Sequence, residues 1–435
     1  MKTIKEDLFL FIGKNVTYLL VLLDIILQLI LIGKYLDNSI MTAYAPTALD
    51  ASEYSELAEI WKTDGFYAAF SDLWRMPGYP ALILIMQLIF PSFPFLAMRI
   101  LQLLALAVSV AMIKIILDRK VRPSVSIFLT IVYIFLPLWH FVPVLIAESL
   151  TSFFFVCLLY VLAAIKSKKL SLFQIAQIAA LIAMETYLKP NLIYLIFPVS
   201  IFLMFKLGSN LKSALLSLIL IIVICLSPWL IFANSAQTGF RGLTTTFGVN
   251  AYIGTGMYLN YDESVLAKSA IRWRVDPNSN PGDVFGFDPL LTRVEQNTML
   301  TSKSIQIWKE RPLREIAFGF NKVLIAFGLL SNSVIHHILG LFSLLSIVSA
   351  LALVKARSSH PWGWLLLSTS SILASQAFFL QADRRFVFPI LFPLSVVVIG
   401  LVMESILYMK VQDWTQRVYR GATKLRMIKS VKGRD

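Results

Sequence analysis

The sequence predicts an all-α, polytopic transmembrane protein with about ten membrane spans. Three observations carry that prediction. The chain is 57% hydrophobic and 15% charged over 435 residues, too little charge to coat a water-soluble fold of this size. Several apolar runs reach about 18–24 residues, the length at which a helix crosses a bilayer. The Lys and Arg side chains fall mostly in short segments between those runs. The net charge of +14 therefore reads as a positive-inside topology and not as a nucleic-acid surface.

The elements follow in order. Lys2, Lys5 and Lys14 precede a first span at Val16–Tyr35, which places the N-terminus in the cytoplasm and the next segment outside. No small-residue cleavage site follows, so this run is expected to remain in the protein. Asp24 sits mid-span and has to face protein or water. Tyr79–Phe90 is about half a span before Pro91 and Pro94 interrupt it, which predicts an interfacial or re-entrant helix on the outer side. Full spans are expected at Phe95–Leu117, Ser124–Val142, Leu145–Ile165, Leu172–Leu188, Asn191–Phe205 and Ala214–Phe232. The polar stretch Asn234–Arg311 reads as a long outer loop with turns and short helices. Pro312–Leu330 either spans or lies at the interface. Three more spans, Ile335–Val354, Trp362–Leu380 and Val387–Tyr408, lead to a basic cytoplasmic tail. The predicted membrane domain thus covers residues 1–410, with outer loops 36–94 and 234–311, and the tail covers 411–435. Cys157 and Cys225 lie inside apolar runs and read as packing residues, not as a disulfide or metal framework.

The densest acidic cluster follows the first span. From Asp50, the residues Tyr54, Leu57, Ala58 and Trp61 recur at i, i+3, i+4 and i+7, the stripe of an amphipathic helix suited to a membrane surface. Ser52, Glu53, Glu56 and Glu59 are expected on the opposite face, while Asp50 projects with Tyr54 on the apolar side. Asp50 and Glu53 also have capping-box spacing, so Asp50 is either a helix cap or a functional carboxylate.

The topology gathers distant residues on the outer side: Asp50 and Arg75, Glu148, Glu185 and Lys189, then Asp383, Arg384 and Arg385. Each has a plain alternative. Glu185 and Lys189 are spaced to pair along one helix, Arg384 and Arg385 to snorkel as anchors, Glu148 to cap the fourth span or pair with Arg75 or Lys189, and Arg75 to pair with Asp72 or a lipid phosphate. Together they outline a cavity with carboxylates and cations, suited to a substrate carrying a phosphate and a hydroxyl.

The order of motifs adds to this. An Asp after the first span, an amphipathic helix, then RMPGYP at Arg75–Pro80 leads an apolar helix. LIAESL at Glu148, YLKPNLIYLIFP at Lys189, SPWLIFAN before the long loop and QADRRFVFPILFPLSVVVIG at the last span follow. Over residues 16–408 this series resembles the GT-C polyprenyl-phosphate-sugar glycosyltransferases, which include protein O-mannosyltransferases and aminoarabinose lipid A transferases. It departs from them in two places: Ala51 follows Asp50 where several members carry an Asp-Glu pair, and Lys189 stands where an Arg is usual.

The resemblance implies transfer of a sugar from a polyprenyl-phosphate donor to a hydroxyl of a lipid, glycan or protein acceptor. Transfer would occur with inversion on the extracytoplasmic face of the plasma (inner) membrane. It implies Asp50 as general base, Glu53, Tyr54, Tyr79 and Glu148 as supporting residues on the acceptor side, and Arg75, Lys189, Arg384 and Arg385 around the donor phosphate. A phosphate leaves as a stable anion, so one base suffices where glycosidases need two carboxylates. No cofactor is indicated. Asp50, Glu53 and Glu148 could hold a divalent ion, but carboxylates alone are weak evidence for one. The rival readings are a transporter or flippase of lipid-linked saccharides, for which the inverted repeats are missing from the sequence, and a ligase. Ligases of that kind use a loop His, and residues 234–311 contain none.

A Cys introduced at Ser279 is expected to react with an impermeant thiol reagent in intact cells. Reaction only after permeabilisation would reverse the topology.

Overall fold

The computed structural model describes residues 2–36, 49–136, 145–165, 170–207, 210–235, 242–255, 291–330, 334–357, 360–380 and 387–408. These form helices and connecting turns, with no strand among the described residues. Helix α1 covers Lys2–Leu36, α2 Leu49–Asp64, α3 Phe66–Phe70, α4 Gly78–Ile89, α5 Pro94–Asp118 and α6 Pro123–Phe135. Next come α7 (Glu148–Ala164), α8 (Leu172–Leu188), a 3-10 turn (Pro190–Leu195), α9 (Ile196–Leu207) and α10 (Leu211–Ser235). Then follow α11 (Thr246–Gly254), α12 (Arg293–Glu310), α13 (Pro312–Ala326), α14 (Val334–Ala356), α15 (Pro361–Phe379) and α16 (Val387–Tyr408).

Among the described residues, five helices are long and apolar enough to cross a membrane: Pro94–Asp118, Pro190–Leu207, Leu211–Asn234, His337–Ala356 and Val387–Tyr408. Their outward faces carry side chains that no aqueous surface would present in such density, among them Leu104, Leu216, Leu220, Ile224, Leu341 and Leu345. The protein is therefore a helical, membrane-embedded chain. α16 forms the centre. It is buried without interruption from Val387 to Gly400, as its all-round apolar sequence requires. Gly400 lets it approach Leu129 of α6 and Leu117 of α5.

Five of the ten expected spans fall outside this set: Val16–Tyr35, Ser124–Val142, Leu145–Ile165 and Leu172–Leu188 yield only shorter apolar helices among the described residues, and Trp362–Leu380 is the fifth. Two of these have a clear local cause. The helix expected to run to Val142 stops at Phe135 among the described residues, and Leu136 is extended at φ −68°, ψ 144°. Pro137 follows it, and the residue before a proline is pushed out of the helical region. Trp362–Leu380 is present as α15 but is too polar to rank with the five apolar helices. Thr369 and Ser370 are buried in it, while Ser368, Ser371 and Ser375 donate to carbonyls one turn back. It packs against α9, α13 and α14.

The undecided stretch Pro312–Leu330 contains α13, an amphipathic helix. Phe318, Gly319 and Lys322 point inward, and Leu313 and Phe320 point out. The buried Lys322 donates to Gly254 O at 2.7 Å and to Leu380 O at 3.0 Å. Those carbonyls lie at the C-terminal ends of α11 and α15, where a helix favours a cation. The expected outer loop thus contributes two described helices, α11 and α12, packed on each other. Lys322 ties α11 to the bundle.

At one end of the bundle, α4 meets α8 at Gly78. A Cβ there would come within 2.5 Å of Tyr187 O, a backbone atom that cannot swing aside. Gly78→Ala is expected to separate α4 from α8 and to destabilise the protein by about 1–3 kcal/mol, the usual cost of overpacking. Thermal unfolding in detergent measures it; unchanged stability would mean that the helix contact is loose.

Candidate functional site

The site begins at a strained turn. Leu73 has φ 55°, a left-handed conformation that costs a leucine about 1–3 kcal/mol. Full burial of its side chain opposes that cost. So do two hydrogen bonds from Thr245, N–H to Leu73 O at 2.9 Å and hydroxyl to Asp72 O at 3.1 Å. The turn presents Trp74 and Arg75 to α2. Aromatic packing of Trp61, Phe66 and Phe70 with Trp229 and Phe232 holds α2 and α3 on α10. The Trp229 indole donates to Leu243 O at 2.8 Å.

Arg75 joins two carboxylates. Its Nη2 lies 2.5 Å from Asp50 Oδ1 and 2.6 Å from Glu53 Oε2, and its Nε donates to the same Glu53 oxygen at 2.8 Å. The Trp74 indole also donates to Glu53, at 3.2 Å. Burial opposes the charge on Arg75, but Asp50, Tyr54 and Glu53 hold its guanidinium above the ordinary value. Asp50 lies in the first turn of α2, where the helix dipole favours a carboxylate. Glu53 departs from its expected place on the solvent face. Residues three apart on a helix are neighbours, so Asp50 and Glu53 close on one guanidinium together. Asp72 does not take Arg75. It accepts the Trp74 N–H at 3.0 Å and faces Arg293 at 4.0 Å. Burial pushes its carboxyl up, opposed by that backbone bond and by Arg293.

A chain of contacts leads inward from Arg75. Its guanidinium lies over the Tyr54 ring at 5.5 Å, and Tyr54 packs on Tyr79 with ring centres 4.8 Å apart. Both tyrosines are buried. Burial pushes the Tyr54 hydroxyl up, against the pull of Arg75. The Tyr79 hydroxyl meets Gln102 Oε1 at 3.1 Å, and the Gln102 amide donates to Ile146 O and Ser149 Oγ. These two residues flank Glu148, which lies within electrostatic range of both tyrosines.

Glu148 and Lys189 form a buried pair at 2.8 Å, with side chains 3% and 8% exposed. Lys189 is extended, at φ −143°, ψ 108°, because Pro190 follows it. That conformation carries its side chain across to α7. The alternative pairing along α8 is not the one formed: Glu185 is fully buried, and neither of its carboxylate oxygens makes a hydrogen bond.

Of the residues expected from sequence, Asp50, Glu53, Tyr54, Arg75, Tyr79, Glu148 and Lys189 converge at this end of the bundle. Arg384 and Arg385, with Asp383, lie outside the described residues, as does most of the long loop. Among the described residues no group of His, Cys, Asp or Glu has the arrangement of a metal centre. The sequence reading missed Trp74, Gln102 and Arg99, which faces Tyr79. Arg99 and Gln102 sit near the start of an apolar span, and polar groups in that position are the signal that identifies them. At the other end of the bundle the cations Lys120, Lys206 and Arg357 gather near His360. Comparison with family models, curated proteins and solved structures finds no match for this chain.

Lys189→Ala leaves Glu148 buried without its partner, and breaking a buried pair costs about 3–5 kcal/mol. The double variant Lys189→Met, Glu148→Leu is expected to recover most of that loss. A thermal-unfolding cycle measures both. Additive losses would show that the two side chains are not coupled.

Proposed function

We propose that this chain is a GT-C-like membrane glycosyltransferase of about ten spans, moving a sugar from a polyprenyl phosphate to an acceptor hydroxyl at the extracytoplasmic face of the plasma membrane. One observation carries the reading. Carboxylates from α2 and α7 meet cations from the 71–77 turn and the end of α8 around two buried tyrosines, at a single end of an apolar bundle. A reaction between a lipid-borne phosphoester and a hydroxyl needs such a place. It requires one base, cations for the departing phosphate, and walls that exclude water.

In this mechanism Asp50 takes the acceptor proton as the hydroxyl attacks the anomeric carbon from the face opposite the phosphate. The bond from the anomeric carbon to the phosphate oxygen breaks, and the lipid phosphate leaves with the electron pair. Arg75 orients Asp50. Glu53 and the Trp74 indole fix Arg75 in turn. Tyr54 and Tyr79 form the floor beneath the acceptor. Lys189 exchanges Glu148 for the donor phosphate, and Arg384 and Arg385 complete the phosphate site. A lysine makes point contacts where an arginine would grip with two, so the paired arginines carry most of the phosphate recognition.

Asp50→Asn tests the proposal. Removing a general base typically costs about 10²–10⁴ in rate, and Asn tolerates the start of a helix about as well as Asp. The variant is expected to express and to bind lipid-phosphate-sugar near normally while transfer in a solubilised assay is nearly abolished. Glu53→Gln should lose much less. Transfer at close to the parental rate by Asp50→Asn would move the base elsewhere, with Glu148 the next to test.

A further inference from the structure

The sequence assigns no site residue to 234–311, yet one side chain of α12 reaches the acidic site. Arg293 is the first residue of α12. A capping box fixes that start: the Thr292 hydroxyl accepts the Glu295 N–H, and the Glu295 carboxylate accepts the Thr292 N–H. A cation at this end of a helix works against the helix dipole, so Arg293 depends on partners outside α12. The 71–77 turn supplies them. The guanidinium lies over the Trp74 ring, 4.7 Å from its centre. Its Nε faces Asp72 Oδ2 at 4.0 Å, and its Nη1 donates to Gln296 Oε1 at 3.2 Å. Asp72 in turn accepts the Trp74 backbone N–H at 3.0 Å. Arg293 therefore acts on Trp74 twice, on the ring directly and on the backbone through Asp72.

α12 is itself held. Asn297 Oδ1 accepts the Gly248 N–H at 2.7 Å, and the Ser304 hydroxyl donates to Ala251 O at 3.2 Å. Val249 of α11 and Leu300 of α12 are buried together, with Trp74, Tyr252 and Met299 packed around them. The place of the Trp74 ring thus follows the α11–α12 pair. From that ring the path to the carboxylates is short. The indole donates to Glu53 Oε2 at 3.2 Å. The same oxygen accepts Arg75 Nε at 2.8 Å, and Arg75 Nη2 reaches Asp50. A hydrogen bond weakens steeply as its donor turns away, so rotation of the indole removes one donor from Glu53. A cation over a tryptophan face resists that rotation and leaves the indole N–H open to Glu53.

We propose that Arg293 is a positioning residue of the acidic site. Through the Trp74 ring it fixes the indole donor on Glu53, and through Glu53 the guanidinium that faces Asp50. The outer-loop helix and the acidic end of α2 are coupled by this path. The coupling stands on the contacts alone; its effect on turnover rests on the glycosyl-transfer reading.

The full-length protein, labelled with fluorotryptophan, is studied in nanodiscs by fluorine NMR. Trp74→Phe identifies the Trp74 resonance, as does its displacement in Glu53→Gln. Arg293→Gln is expected to move that resonance and to abolish its response to Glu53→Gln. Arg293→Lys, which keeps a cation over the ring, is expected to retain the response. The other tryptophan resonances report whether the fold is intact, and Arg293→Met serves where Arg293→Gln does not fold. In a transfer assay Arg293→Gln is expected to lower kcat several-fold with KM for lipid-phosphate-sugar near the parental value, and Arg293→Lys to recover most of the loss. A Trp74 resonance and response in Arg293→Gln equal to the parent's overturn the proposal. So does parental kcat in that variant, or a parent in which Glu53→Gln moves no tryptophan resonance. Coupling at Trp74 in a protein that transfers no sugar rejects the glycosyltransferase reading and upholds Arg293 as the residue that positions Trp74.

Discussion

A charge buried in an apolar bundle must meet an opposite charge, and in this protein that requirement makes the joints at the ends of the bundle. Moving an ion out of water costs several kcal/mol even after the protein relaxes. Four described cations, buried or half-buried, meet that cost in recognisable ways. Lys114 pairs with Asp118, Lys189 with Glu148, Arg75 with Asp50 and Glu53, and Lys322 with the carbonyl ends of two helices. Helices in lipid gain little from hiding apolar surface, because the solvent around them is equally apolar. Polar contacts therefore decide which ends meet. The pairs at Arg75 and Lys189 join α2 to the turn before α4, and α7 to α8. The candidate site lies at the place where those joints fall.

The same requirement shapes the chemistry proposed for that end. Two carboxylates share Arg75, and a further buried carboxylate, Glu185, sits within electrostatic range of Lys189 without a hydrogen bond of its own. Among the described residues, acidic groups outnumber the cations that face them. A phosphate arriving here therefore has to take a cation from a carboxylate or bring its compensation from elsewhere. Lys189 is the cation suited to exchange, being a single point charge on a flexible stem, whereas Arg75 is held through two of its nitrogens. Binding of the donor and release of Glu148 would then be one event.

Much of this architecture is legible in the sequence, and the exceptions have physical reasons. α4 and α8 match the expected segments almost to the residue, because Pro and Ser mark their starts and apolar runs fill them. Convergence at one end of the bundle follows from counting crossings and charges, which is why Asp50, Arg75, Glu148 and Lys189 are expected together. Glu53 was assigned to solvent because a two-sided helical wheel ignores that a partner on another segment can draw an i, i+3 pair to one point. The early end at Phe135 is a local effect of Pro137, overridden in the sequence reading by the apolar run around it. Lys322 and Gln102 were invisible for a different reason. Their partners are backbone carbonyls or side chains far along the chain, and only the packing of α13 on α15, or of α5 on α7, brings those into reach.

The pairing at Arg75 also bears on how losses at Asp50 should be read. Had Arg75 a single acidic partner, neutralising that partner would strand a half-buried guanidinium, and a lost activity would be hard to separate from a disturbed fold. With Glu53 holding Nε and Nη2 as well, the guanidinium keeps a countercharge when Asp50 becomes neutral. The turn keeps its own supports, since Thr245 and the buried Leu73 side chain act on it from the other side. Two carboxylates on one arginine therefore separate two tasks. Glu53, with the Trp74 indole on the same oxygen, does the structural work of fixing Arg75. In the proposed mechanism Asp50, at the first turn of α2, is then the carboxylate whose charge is spent in the reaction without unfastening the helix that carries it.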